Sequence, residues 1–161
     1  MTEKMTGFDI IRNVYNKIDD VKRLNRFEVD ELNVGGFPIP IFKFGKKPTV
    51  LITSGMHCDE WTQIFANLYY LNNFISSKDN PHSSFVSIPL INPIGLMKYP
   101  NRDLSNRLWG KRKGKLQKEL IKYLSQFNFL MSLDMHEDTD FSDAYIYERR
   151  KGATLGNKLL A

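Results

Sequence analysis

The sequence predicts a three-layer α/β fold: an open, mostly parallel but mixed sheet with helices on both faces. Three observations point there. From Thr49 onward, short apolar runs alternate with longer amphipathic stretches. Those stretches are long enough to cross over between parallel strands. Two of the runs, around Val50 to Ile52 and Met131 to Leu133, end close to a histidine. Open α/β sheets expose their functional groups at that carboxyl edge.

Each element follows in order. Ile10, Ile11, Val14, Ile18 and Val21 recur at helical spacing with Lys and Asp between them, which predicts a helix over Phe8 to Leu24. Phe27 to Leu32 reads as a short strand, and Val34-Gly35-Gly36-Phe37 as a turn. Ile39 to Phe44 alternates like a strand. Pro38 and Pro40 place it at a sheet edge, because proline cannot donate to a ladder. Gly45 to Pro48 turns into a strand over Thr49 to Thr53. Trp61, Ile64, Phe65, Leu68 and Leu71 then form a helical stripe to lay on the sheet. Ser76 to Ser84 is a polar loop, and Phe85 to Ile91 a strand that stops at the turn Asn92-Pro93-Ile94-Gly95. An irregular stretch runs from Leu96 to Lys113. Lys115 to Phe127 is a helix with Leu116, Leu120, Ile121 and Leu124 on one face. Phe129 to Met135 is the next strand, Ala144 to Tyr147 a further one, and Leu155, Leu159 and Leu160 begin another helix.

Composition narrows the class. A chain of 161 residues with 42% hydrophobic and 25% charged side chains suits one globular domain, residues 1–161. The single cysteine, Cys58, rules out an internal disulfide framework and suits the reducing cytoplasm; it reads as a buried, idle thiol. No signal-peptide core and no run near the roughly 20 apolar residues of a membrane span is visible, so no membrane partner is expected. The net charge of +5 is spread along the chain, with no recognisable nucleic-acid-binding motif, so no nucleic acid is expected either. Nothing in the sequence fixes the oligomeric state.

The chemistry gathers at the strand ends. Gly55-Met56-His57-Cys58-Asp59-Glu60 follows one strand, and Asp134-Met135-His136 ends another. Two imidazoles and one carboxylate, His57, Glu60 and His136, with room left for water, make a catalytic zinc set rather than a structural one. The same donor set also suits non-haem iron. Asp134, two residues before His136, shares its side of the strand and can orient the imidazole. His82 sits in a polar loop and reads as incidental. Arg102 and Arg107 put two guanidinium groups in the loop after the third strand. Arginine binds carboxylates and stabilises oxyanions, although a merely solvated basic loop, with Lys111-Arg112-Lys113 beside it, fits as well. The acidic stretch Glu137, Asp138, Asp140, Asp143 and Glu148 reads as a solvated loop. A cationic substrate group or a substitute base at Glu137 is its functional alternative.

Gly55-x-His57-x-x-Glu60, Asn92-Pro93-x-Gly95, Asp103-Leu104-Ser105-Asn106-Arg107 and Asp134-x-His136 stand in an order that resembles the zinc carboxypeptidase superfamily. These are the M14-like peptidases, with the succinylglutamate desuccinylase and aspartoacylase branch; the compact spacing and the Asp-x-His ending look more like that branch, or like a small bacterial peptidase of the same fold. The resemblance spans about residues 30 to 148. It implies one Zn2+ per chain, held by His57, Glu60 and His136, and hydrolysis of an amide bond next to a carboxylate. Asn106 and Arg107 would hold the carboxylate of a small-molecule or peptide substrate, and Arg102 would serve the oxyanion. Two departures stand out. The family pattern Asp-Leu-Asn-Arg is interrupted here by Ser105. The family's general-base glutamate comes from a later strand, and none matching it follows His136. The sequence therefore suggests either an amino-terminal portion of such an enzyme or a non-catalytic metal- or peptide-binding relative that lacks the base.

Overall fold

A computed structural model describes residues 6–73, 84–98 and 114–137. Its elements are α1 (Gly7–Arg23), β1 (Glu28–Val34), β2 (Phe37–Phe44), β3 (Val50–Thr53) and α2 (Thr62–Asn73). Then follow β4 (Phe85–Ile88), α3 (Pro93–Lys98), α4 (Lys115–Leu124) and β5 (Met131–Asp134). The expected polar loop with His82, the 99–113 stretch, the strand over Ala144 to Tyr147 and the last helix lie outside the described residues.

α1 starts at a capping box: Thr6 accepts from the Asp9 N–H, and the Asp9 carboxylate accepts from the Thr6 N–H. Its apolar stripe, Ile10, Ile11, Val14, Ile18 and Val21, is buried as the spacing demands. The five strands run in the order β1-β2-β4-β3-β5. β1 with β2 and β2 with β4 are antiparallel, whereas β3 pairs in parallel with both β4 and β5. The sheet is mixed, and its parallel half carries the histidines.

Alternation along the strands fills two cores, one on each face. Phe42, Ile52 and Phe85 pack against α1, α2 and Leu96 of α3. Ile39, Ile41, Val86 and Ile88 pack against Leu116, Leu120 and Leu124 of α4. The three layers expected from the sequence are therefore present. On α4, Ile121 does not join the buried face; it is 41% exposed, and Gln117 is buried instead.

Two expectations change. β2 is an interior strand, not an edge. Pro38 and Pro40 pair with Asn33 and Glu31 of β1, but β4 reaches only Phe42 to Phe44, so the prolines sit where β2 has a single neighbour. The Asn92-Pro93-Ile94-Gly95 turn is the start of α3. The Asn92 side chain accepts from the Gly95 N–H at 3.0 Å as an N-cap, and Pro93 takes the first helical position, where no amide donor is needed.

A buried polar chain ties the layers together beneath the carboxyl edge. The Ser87 hydroxyl donates to Asn67 Oδ1 (2.8 Å), and Asn67 Nδ2 donates to the Ser54 hydroxyl (3.1 Å). Ser54 in turn donates to the Pro89 carbonyl at 2.7 Å. All three side chains are fully buried, so each bond is isolated from competing water. Asn67→Ala is expected to cost about 2–4 kcal/mol of stability, because it opens a cavity and strands the Ser87 hydroxyl. Denaturant midpoints measure this; a loss under about 0.5 kcal/mol would show that the chain is not a structural tie.

Candidate metal centre

β3 ends at Thr53, and Gly55 turns the chain up over the sheet edge. Its φ is +67°, and a Cβ there would come within 2.9 Å of the Ile64 side chain and 3.2 Å of the Pro89 carbonyl oxygen. Only glycine fits both the conformation and the space. The segment that follows is pinned by Asn92, whose Nδ2 donates to the Met56 carbonyl at 3.2 Å. Gly95 lets this contact form: a Cβ there would lie 2.4 Å from Asn92 Nδ2 and 2.5 Å from Cys58 Sγ. Cys58 is 1% exposed, so it is a buried packing thiol as expected.

This pinned turn brings His57 and Glu60 up beside the end of β5, where His136 arrives. His57 Nδ1 lies 2.6 Å from Glu60 Oε1, and His136 Nδ1 lies 2.9 Å from Glu60 Oε2. The two imidazole centroids are 4.7 Å apart. The Glu137 N–H donates to Glu60 Oε2 at 3.2 Å and steadies the carboxylate from a third direction. One donor atom from each of His57, Glu60 and His136 lies within 4.8 Å of the others. Two imidazoles and a carboxylate converging this closely suit a borderline cation such as zinc, with one tetrahedral position left for water.

The electrostatics are set by Asp134. Its Oδ2 is 2.9 Å from His136 Nε2, and its Oδ1 accepts from the Thr53 hydroxyl at 2.6 Å. The hydrogen bond to Asp134 is the main cause that raises the His136 pKa from about 6.5 to about 9. Partial burial opposes it, and the charges of Asp134 and Glu60 add to it. For Asp134, burial is the largest single influence and pushes upward. The hydrogen bonds from His136 and Thr53, with the nearby histidine charges, outweigh it and hold the carboxyl below its usual range.

The structure thus gathers His57, Glu60 and His136, and puts Asp134 against His136 as the strand geometry suggested. Arg102, Asn106 and Arg107, with Asp103, Asp138, Asp140, Asp143 and Glu148, lie outside the described residues. Glu137 is described, and its carboxylate accepts from the Thr62 hydroxyl at the start of α2. Thr53, Thr62 and Asn92 as supports of the site escaped the sequence reading. The Asn92-Pro93 pair was a usable signal for the cap; the Thr53 contact depends on strand pairing and left none.

No protein-family model matches the chain. Mouse carboxypeptidase A2 is 26% identical over 124 residues, which cover 68% of this chain and 29% of the mouse protein. Among solved structures, a metallo-carboxypeptidase from Burkholderia cenocepacia superposes with a TM-score of 0.62 at 20% identity. The match covers 78% of this chain and 40% of that one. An aspartoacylase family protein from Mesorhizobium loti superposes with a TM-score of 0.51 at 19% identity over 68% of this chain and 40% of its own. The chain thus spans at most 40% of the length of these three proteins. A metallo-carboxypeptidase and an aspartoacylase family protein thus share one architecture with this chain, the fold that its motifs led us to expect.

Proposed function

We propose that this chain acts as a zinc-dependent hydrolase that cleaves an amide bond next to a carboxylate, of the metallocarboxypeptidase or N-acyl amino acid deacylase type. One observation carries the reading: His57, Glu60 and His136 converge at the carboxyl ends of two adjacent parallel strands. The likeness to carboxypeptidases and to an aspartoacylase family protein supports the substrate class.

In this reading the three residues hold one zinc ion per chain. Zinc there supplies a Lewis acid for the scissile carbonyl and activates water as the nucleophile. The Glu137 N–H and the two imidazoles keep the Glu60 carboxylate in place before the metal arrives. Arg107 and Asn106 anchor the carboxylate of a peptide or small-molecule substrate, and Arg102 stabilises the developing oxyanion. The protein acts in the cytoplasm, without a nucleic-acid or membrane partner. No described helix is long and apolar enough to cross a membrane.

A second reading keeps the metal and drops turnover: a non-catalytic metal- or peptide-binding module. One contact favours it. The Glu137 carboxylate, the acid beside the site in sequence, is tied by one oxygen to the Thr62 hydroxyl at the start of α2. General-base assistance is worth about 10²–10⁴-fold, so turnover rate separates the two readings.

Metal analysis of the purified chain is expected to find about one zinc, absent from His57→Ala and His136→Ala variants that keep the native circular dichroism. A folded chain that takes up no zinc when offered it would sink the hydrolase reading.

Zinc uptake is also expected to depend on pH. The raised pKa means that the protonated His136 contacts stabilise the metal-free fold below about pH 6.5, and that this contribution fades as pH climbs through about 9. Zinc must displace that proton. Affinity should therefore rise about tenfold per pH unit between roughly pH 7 and 9, with about one proton released. Calorimetry in buffers of different ionisation enthalpy reads the proton count, and zero protons at pH 7 would contradict the assignment.

Arg107→Ala is expected to raise KM for a substrate with a free carboxylate by about 10–100-fold, the loss of a charge-assisted pair. KM for the matching amidated substrate should hardly move. Equal effects on both substrates would remove Arg107 from carboxylate recognition.

A further inference from the structure

We infer that Thr53 and Asp134 form a positioning relay that selects which nitrogen of His136 faces the metal. The inference rests on the zinc reading above and deepens it. A neutral imidazole carries one N–H and one lone pair, and the partner of one nitrogen decides the role of the other. Here Asp134 Oδ2 sits 2.9 Å from Nε2, so the ring keeps its proton on that side. Nδ1 is left facing Glu60 Oε2 at 2.9 Å, where the donor atoms converge.

A carboxylate on a strand end can rotate, and a rotating acceptor would not fix a ring. Thr53 prevents this. Its hydroxyl donates to the other carboxylate oxygen, Oδ1, at 2.6 Å, so each oxygen of Asp134 serves a different partner. Thr53 is only 7% exposed, which shields its bond from water. Its backbone also accepts from the Met135 N–H at 2.8 Å, so the residue between Asp134 and His136 is tied to the same anchor. The threonine sits directly opposite Asp134 in the β3–β5 register. Thr53 and Asp134 are therefore positioning residues, acting on the metal through His136.

The plain alternative is a cross-link that merely holds β5 to β3. The two differ in what they move. A cross-link lowers the unfolding midpoint of the metal-free chain and leaves zinc affinity under native conditions intact. A positioning relay changes zinc affinity at constant fold. The experiment measures zinc dissociation constants of the full chain by chelator competition, with metal-free unfolding midpoints and imidazole 15N–1H spectra alongside. Asp134→Ala is expected to weaken zinc binding by about 10–100-fold. It should also abolish the slowly exchanging Nε2–H signal of His136. Thr53→Val keeps the shape but lacks the hydroxyl, and should weaken binding by about tenfold. Thr53→Ser, which restores the donor, should stay within about twofold of the native chain. Native zinc affinity in both folded Asp134→Ala and Thr53→Val, with His57→Ala still unable to bind, would overturn the relay and leave the metal site standing. No zinc binding by the native chain would overturn the relay together with the site.

Discussion

The parallel register between β3 and β5 is the constraint on which the site depends. It sets Thr53 opposite Asp134, and from that pairing the two chain segments rise on the same side of the sheet edge. His57 then follows one strand end and His136 the other, close enough for Glu60 to touch both rings. A slip of one residue would turn every side chain of β5 to the opposite face. Asp134 would lose Thr53, and His136 would lose its orientation. The strand positions, rather than the loops, decide whether three donors meet.

Below the site lies a rigid floor. The Ser87–Asn67–Ser54 chain locks α2 to β3 and β4 just below the turn, and Gly55 lets the backbone leave the sheet without touching Ile64. Backbone bonds from Ile91 to Ser54 and from Asn92 to Gly55 extend the β3–β4 pairing into the turn itself. Buried hydrogen bonds of this kind contribute little net energy when made but a large cost when broken. They therefore specify one geometry more than they add stability. The upper part of the site is different. Asp134 and His136 are partly open to solvent, so their arrangement relies on a few directed contacts.

Much of this was legible in the residues. Helical stripes and apolar runs are local signals, which is why α1, α2, β3 and β4 stand close to where periodicity puts them. The His-x-x-Glu and Asp-x-His patterns stand out because they follow strand ends. Other features depend on neighbours that a linear reading cannot see. Pro38 and Pro40 argued for an edge because the rule concerns donors, and whether a donor is needed depends on how far β4 extends along β2. Asn92-Pro93 looked like a turn, though an asparagine cap followed by proline is equally a helix start. Asn67 falls within an apolar stripe, and its partners Ser54 and Ser87 come from two other elements. Thr53 gains its meaning only once β3 and β5 are paired.

The separation of Thr53 and Asp134, 81 positions apart, bears on how the chain folds. Among the described strand pairings this one closes the longest loop, and closure entropy makes such contacts late and slow. The hairpin of β1 and β2 and the β3–β4 unit can form first from nearer segments. The histidines then stay apart until β5 docks on β3, so an intact site reports that this long-range pairing has formed. An ion captured there would hold shut the contact that is kinetically hardest to regain, slowing unfolding more than it hastens folding.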